Sequence, residues 1–106
     1  MILASVRLNA KVVGLWAQGL RALFRIYTAA KGEDRRDLAI RACQKAKELH
    51  PDVRREDQEM VLALLLEGYT PTLEEAQEVN DFYEGRTPLM DALKALITEA
   101  KNEKNL

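Results

Sequence analysis

From about residue 3 to residue 30, Arg7, Lys11, Gln18, Arg21, Arg25 and Thr28 recur at alternating steps of four and three, with Gly14 filling the one gap. That rhythm draws one polar stripe along an α-helix. Two apolar seams lie opposite, and the polar stripe covers only about a third of the circumference. One seam runs Leu8, Val12, Leu15, Gly19, Ala22, Ile26, and the other Val13, Trp16, Leu20, Leu23, Tyr27, Ala30. A surface helix needs an apolar stripe of only about 100°, so this one must meet protein on several sides. At 1.5 Å per residue it spans about 42 Å, long for one small domain. Gly14 and Gly19 each cost a helix interior about 1 kcal/mol relative to Ala, and the close approach of another helix is the reading that accounts for them.

The rest of the chain is punctuated in the same language. Gly32 closes the first helix as a left-handed cap, and Glu33, Asp34 and Asp37 supply the acids of a new first turn. A helix over 34–49 follows, with the small apolar line Leu38, Ala42, Ala46, Leu49 and with Ala39 and Cys43 beside it. The His50-Pro51 step ends it. A third helix over 53–67, capped by Asp52, ends in the block Met60 to Leu66, which reads as the buried middle of the domain. The pattern Glu67-Gly68-Tyr69-Thr70-Pro71 returns seventeen residues later as Glu84-Gly85-Arg86-Thr87-Pro88. Gly after a helix and Thr-Pro before the next one set two tight turns, giving helices over 71–83 and 88–101 and a frayed tail over 102–106. The fourth helix is expected to bury Leu73, Ala76, Val79 and Phe82 or Tyr83, and the fifth Leu89, Ala92, Leu93, Leu96 and Ile97. The predicted fold is all-α: a single domain over 1–106, a compact array of about five helices around the third, with a long N-terminal helix.

Composition narrows the function classes. One Cys and one His among 106 residues exclude an internal disulfide framework and a zinc module. No GxGxxG, P-loop or HExxH pattern occurs. His50 needs a nucleophile or an orienting carboxylate to act as a general base. Cys43, about two turns upstream, lies roughly 10 Å away on the same face, and the two read as a helix-end imidazole and a small core thiol. The longest uncharged apolar stretch, Val12 to Leu20, has nine residues, against roughly 20 for a membrane span. Residues 2–31 therefore read as mature fold, and the expected setting is cytoplasmic with Cys43 reduced. Glu74, Glu75 and Glu78 lie together on the fourth helix but lack the inward-facing Glu-x-x-His pairs of helical metal sites, so they read as a solvated face.

The net charge of −1 hides a segregation: cutting after Glu56 leaves +6 on the first half and −7 on the second. Two such halves either face each other in the fold or face different partners. The basic set Arg35, Arg36, Arg41, Lys45, Arg54 and Arg55, with Lys47, is the candidate for nucleic-acid or anion contacts. It is interleaved with acids and lacks aromatics for base stacking. Met60 to Thr70 followed by Glu74-Glu75-Ala76 resembles the first half of a helix-turn-helix, in which a basic recognition helix should come next. The fifth helix instead opens Thr87, Pro88, Leu89, Met90, Asp91, with only Arg86 and Lys94 basic nearby.

With no catalytic set, the sequence points to a small non-enzymatic protein-binding module, a regulator, inhibitor or scaffold of the kind found among bacterial accessory and phage-encoded factors. The expected surface is the seam of Val13, Trp16, Gly19, Leu20, Leu23 and Tyr27, expected to stay open in the monomer and to pair two copies as a homodimer across Gly19, the alternative being that it receives a different protein. No cofactor, metal, membrane or small-molecule substrate is expected. The second reading is a nucleic-acid-binding protein using the basic surface of the first two helices.

Overall fold

Asn9, in extended backbone, accepts the Val12 amide with its side chain at 2.9 Å and starts the first helix. In the computed structural model, which describes residues 7–104, five helices follow one another. They are α1 Ala10–Lys31, α2 Arg35–Leu49, α3 Arg55–Glu67, α4 Leu73–Phe82 and α5 Pro88–Lys104. The all-α array is thus as the periodicity predicts, and no described residue lies in a strand. No helix of the described residues is long and apolar enough to cross a membrane.

The boundaries carry four corrections. The first helix starts at Ala10 and not near residue 3: residues 7–9 are not helical, and residues 1–6 lie outside the described residues. It is 22 residues long, about 33 Å. The fourth helix is capped by Thr72 and not by Thr70. Thr72 and Glu75 form a reciprocal capping box, each side chain bonded to the other's amide. The fifth runs to Lys104, so residues 102–104 are helical and do not fray; residues 105 and 106 lie outside the described residues. Further, Asp52 does not cap α3. Arg54 stands at that position without a side-chain cap, and Asp52 instead accepts from Arg86 at 2.7 Å. Gly32 and Gly68 do end α1 and α3 in the left-handed region, with φ of 66° and 76°.

The core is centred on α1, α2 and α5, and not on α3. Leu20, Phe24 and Tyr27 of α1 meet Leu38, Ala39 and Ala42 of α2 and Leu89, Leu93, Leu96 and Ile97 of α5 in one cluster. Small residues on α2 let the bulky α1 side chains close in, and α5 packs along both α1 and α2. Only Leu64 and Leu65 of the α3 apolar block are fully buried; Val61, Leu62 and Leu66 lean half-buried against the cluster. The α4 helix buries Ala76 alone within its span and Tyr83 just beyond it, while Leu73 and Phe82 stay exposed. Leu49 of the α2 line is also exposed.

Three polar ties place the weakly buried α4. Arg21 Nη2 donates to Gly68 O, Tyr69 O and Thr70 Oγ1 at 2.8, 2.9 and 2.8 Å, fastening the α3–α4 turn to α1. A cation there also suits the C-terminal dipole of α3. The Leu8 amide donates to Gln77 Oε1 at 2.7 Å. Arg54 grips the buried Asp57 with Nε and Nη2 at 2.9 and 3.1 Å, reaches Glu78 at 3.2 Å and lies 4.4 Å over the Phe82 ring. The Tyr83 hydroxyl donates to Asp57 and accepts the Arg54 amide. That network holds the guanidinium well above its ordinary pKa, mainly through its hydrogen bonds to Asp57.

Candidate interaction surface

The seam expected to stay open is the inner face of α1. Leu20 is 0% and Tyr27 1% exposed, Val13 is buried, and Trp16 and Leu23 pack half-buried against the core. The chain covers this seam itself, with α2, α3 and α5 packed against it. The solvent-facing seam is the other one. Val12 is 44%, Leu15 57% and Ile26 50% exposed, with Gly19 and Ala22 between them. Along a helix these five positions step by three and four and form one line, about 21 Å from end to end at 1.5 Å per residue. Gly19, alone of the expected interface residues, borders this open face. A Cβ built at Gly14 or at Gly19 meets nothing within 4 Å, so nothing in the chain itself explains either glycine.

The edge of the open seam is basic. Lys11 and Arg25 are exposed, and neither side chain has an ion pair or hydrogen bond among the described residues. No acid occurs before Glu33.

The basic set of α2 and α3 is differently placed. Arg35 donates to Leu65 O and lies 5.6 Å from the Phe24 ring centroid. Arg41 pairs with Glu33 at 3.5 Å, Lys45 with Glu99 at 2.7 Å and Glu48 at 3.6 Å, and Arg55 with Glu59 at 3.6 Å. Arg54 is held in the Asp57 network described above. Arg36 remains exposed, with no ion pair among the described residues. Four of these six cations thus have carboxylates beside them, and only two of those carboxylates, Glu33 and Glu48, are acids interleaved in the basic stretch. Lys94, near the start of α5, is exposed, whereas Arg86 is held by Asp52.

His50 has the carboxylate that the sequence did not reveal: Nε2 lies 3.0 Å from Asp91 Oδ2, joining the end of α2 to α5. Forty-one residues separate the pair, beyond any local pattern. Cys43 supplies no nucleophile to it. Burial pushes the thiol up to about 11, and Sγ faces Gln58 O at 3.8 Å, so the reactive thiolate is scarce near neutral pH.

The two hollows beside Trp16 are small. Two apolar clefts beside Trp16 enclose about 50 and about 100 Å³, whereas small-molecule and cofactor sites run roughly 300–1,000 Å³. A shallower hollow of about 370 Å³ lies between α3 and α4. On its walls Arg54 and Asp57 neutralise each other, and Glu75 is held by Thr72 and the Tyr69 hydroxyl. Those two bonds, Tyr69's first, keep the Glu75 carboxyl below its ordinary pKa. Among the described residues no three His, Cys, Asp or Glu side chains gather as metal ligands. Compared with known proteins, the chain matches no family model, no curated protein and no solved structure.

Proposed function

We propose that the protein is a non-enzymatic protein-binding module that regulates, inhibits or scaffolds another macromolecule through the open seam of α1. The observation that carries this reading is the line on the longest helix in which Val12, Leu15 and Ile26 stand in solvent, with the half-buried Gly19 and Ala22 between them. By exposed area the strip is roughly 300 Å², the lower end of the range for the largest apolar patch of a typical monomer, a patch that is often functional. Gly19 supports it, since a helix tolerates the cost of a glycine most readily where another backbone must come close. The runner-up, nucleic-acid binding through α1 and α2, draws on Lys11, Arg25 and Arg36 but loses Arg35, Arg41, Lys45, Arg54 and Arg55 to internal partners. Too few free cations remain on α2 for a phosphate-tracking groove.

A photo-crosslinking amino acid placed at Leu15, and separately at Arg36, tests both readings in the source organism. Protein adducts from position 15 that are absent from position 36 support the module. Nucleic-acid adducts from position 36, with none to protein from position 15, replace it with the runner-up.

A further inference from the structure

We propose that the open seam of α1 receives an acidic amphipathic helix from another protein, lying along α1 across Gly19; this rests on the protein-binding reading above and names its partner. The shape argument comes first. The open line has large side chains at its two ends, Val12 and Leu15 on one side and Ile26 on the other, and small ones at Gly19 and Ala22 in the middle. That is a shallow saddle, into which a second helix settles with its backbone nearest Gly19. Nothing in the chain occupies the space beside Gly19.

The charge argument selects the chemistry. Lys11 and Arg25 are fourteen residues apart, which returns them to the same edge of the seam, and both are unpaired among the described residues, in a segment with no acid before Glu33. Six other basic side chains, Lys31, Arg41, Lys45, Arg54, Arg55 and Arg86, have carboxylates of this chain beside them, whereas Arg36 on α2 and Lys94 on α5 are exposed without an ion pair among the described residues and stand on other helices. An occupant with carboxylates along that one edge completes the pattern. A second copy does so poorly: antiparallel pairing of two α1 helices about Gly19 sets Lys11 of each against Arg25 of the other, and like charges at such edge positions oppose pairing. A lipid surface also fits poorly. The aromatic side chains suited to an interface, Trp16 and Phe24, face inward, and the middle of the seam is small.

The test uses the full chain and two fluorescently labelled helical peptides of about eighteen residues. Both carry the same Leu/Ala apolar line, flanked by Glu in one and by Lys in the other. Anisotropy at low salt should show the Glu peptide binding at least about tenfold more tightly than the Lys peptide, as two surface charges turned from attraction to repulsion imply. Lys11→Glu with Arg25→Glu should reverse the order. Leu15→Asp should abolish binding of both peptides, and Ile40→Asp, on α2, should change neither.

Equal affinity for both peptides overturns the acidic partner while leaving the docking surface standing. Binding of neither, with light scattering showing a dimer that Leu15→Asp dissolves, makes a second copy the occupant and overturns the proposal. Sedimentation with vesicles containing phosphatidylserine that is lost in Leu15→Asp, again without peptide binding, makes it a lipid surface and overturns the protein-binding reading too. A monomer indifferent to peptides and vesicles overturns the seam itself.

Discussion

Gly19→Ala should make this protein more stable. A glycine inside a helix is about 1 kcal/mol less favourable than Ala, chiefly because the unfolded chain gains more backbone freedom. Substitution realises that gain only where the new methyl fits, and here the added Cβ has nothing within 4 Å. The expected gain is therefore close to 1 kcal/mol, which for a domain of this size raises Tm by about 5 °C. Gly14 has the same open surroundings, and the two positions point to different sides of α1, so the effects should add to about 2 kcal/mol within a few tenths. The control is Gly32→Ala: at φ 66° an L-residue is strained, and the cost is about 1 kcal/mol or more. Urea titration followed by circular dichroism measures all three. A Gly19→Ala protein that is no more stable than wild type would refute the claim that nothing in the monomer approaches α1 there. The same variant separates fold from function: it should bind the acidic helical peptide more weakly while unfolding later.

Four further outcomes are expected. Arg54→Met, which leaves the Asp57 carboxylate buried with Tyr83 as its remaining anchor, should lower stability by about 2–3 kcal/mol, read from urea midpoints; a loss below about 0.5 kcal/mol would show the network to be incidental. Leu15→Asp should unfold within about 0.5 kcal/mol of wild type, whereas Leu20→Asp, with its side chain in the core, should lose more than about 4 kcal/mol or fail to fold, which circular dichroism distinguishes. Cys43, raised from 9.0 to about 11 by burial, should react with a disulfide reagent at pH 8 at least about 100-fold more slowly in the native protein than in urea. A folded pKa above the unfolded one gives stability that is whole below about pH 9 and lost as pH rises toward about 11, so the midpoint should fall across that window and fall less in Cys43→Ala.

What the sequence disclosed was local, and what it withheld was tertiary. Gly32, Gly68 and Pro88 mark helix ends because their backbone requirements do not depend on the rest of the fold. Thr70 misled because it precedes a proline, as Thr87 does; two residues on, Thr72 has Glu75 at the spacing of a capping box, and that pair won. The start of α1 was hidden because Leu8 continues the apolar rhythm, while the signal that mattered was the short polar side chain of Asn9. The two α1 seams were not separable by hydrophobicity, since which one is covered depends on where α2 and α5 come to rest. A weak hint was available in size: the inner seam carries Trp16, Leu20, Leu23 and Tyr27, the outer one Gly19 and Ala22. Arg21 on the α3–α4 turn, His50 on Asp91 and Arg54 on Phe82 join residues far apart in sequence, so no spacing announces them.

The segregated charge resolves in the same way. Lys31 reaches Glu103, Lys45 Glu99, Arg54 Glu78 and Arg55 Glu59, each a base of the first half on an acid of the second, and Arg86 reaches back to Asp52. Much of the +6 and −7 therefore belongs to the fold, because the halves face each other. Exposed pairs of this kind contribute little stability each; their effect is to remove the cations of α2 from the set available to an outside partner. What is left over is more telling than the total. Lys11 and Arg25 stand on the edge of α1, whose outer face shows Val12, Leu15 and Ile26 in one line, so that unmatched charge and uncovered hydrophobic surface coincide there. Either feature alone is ordinary on a small protein. Their coincidence along α1, beside a glycine with nothing next to it, is the reason to look for the protein's partner there and not on α2.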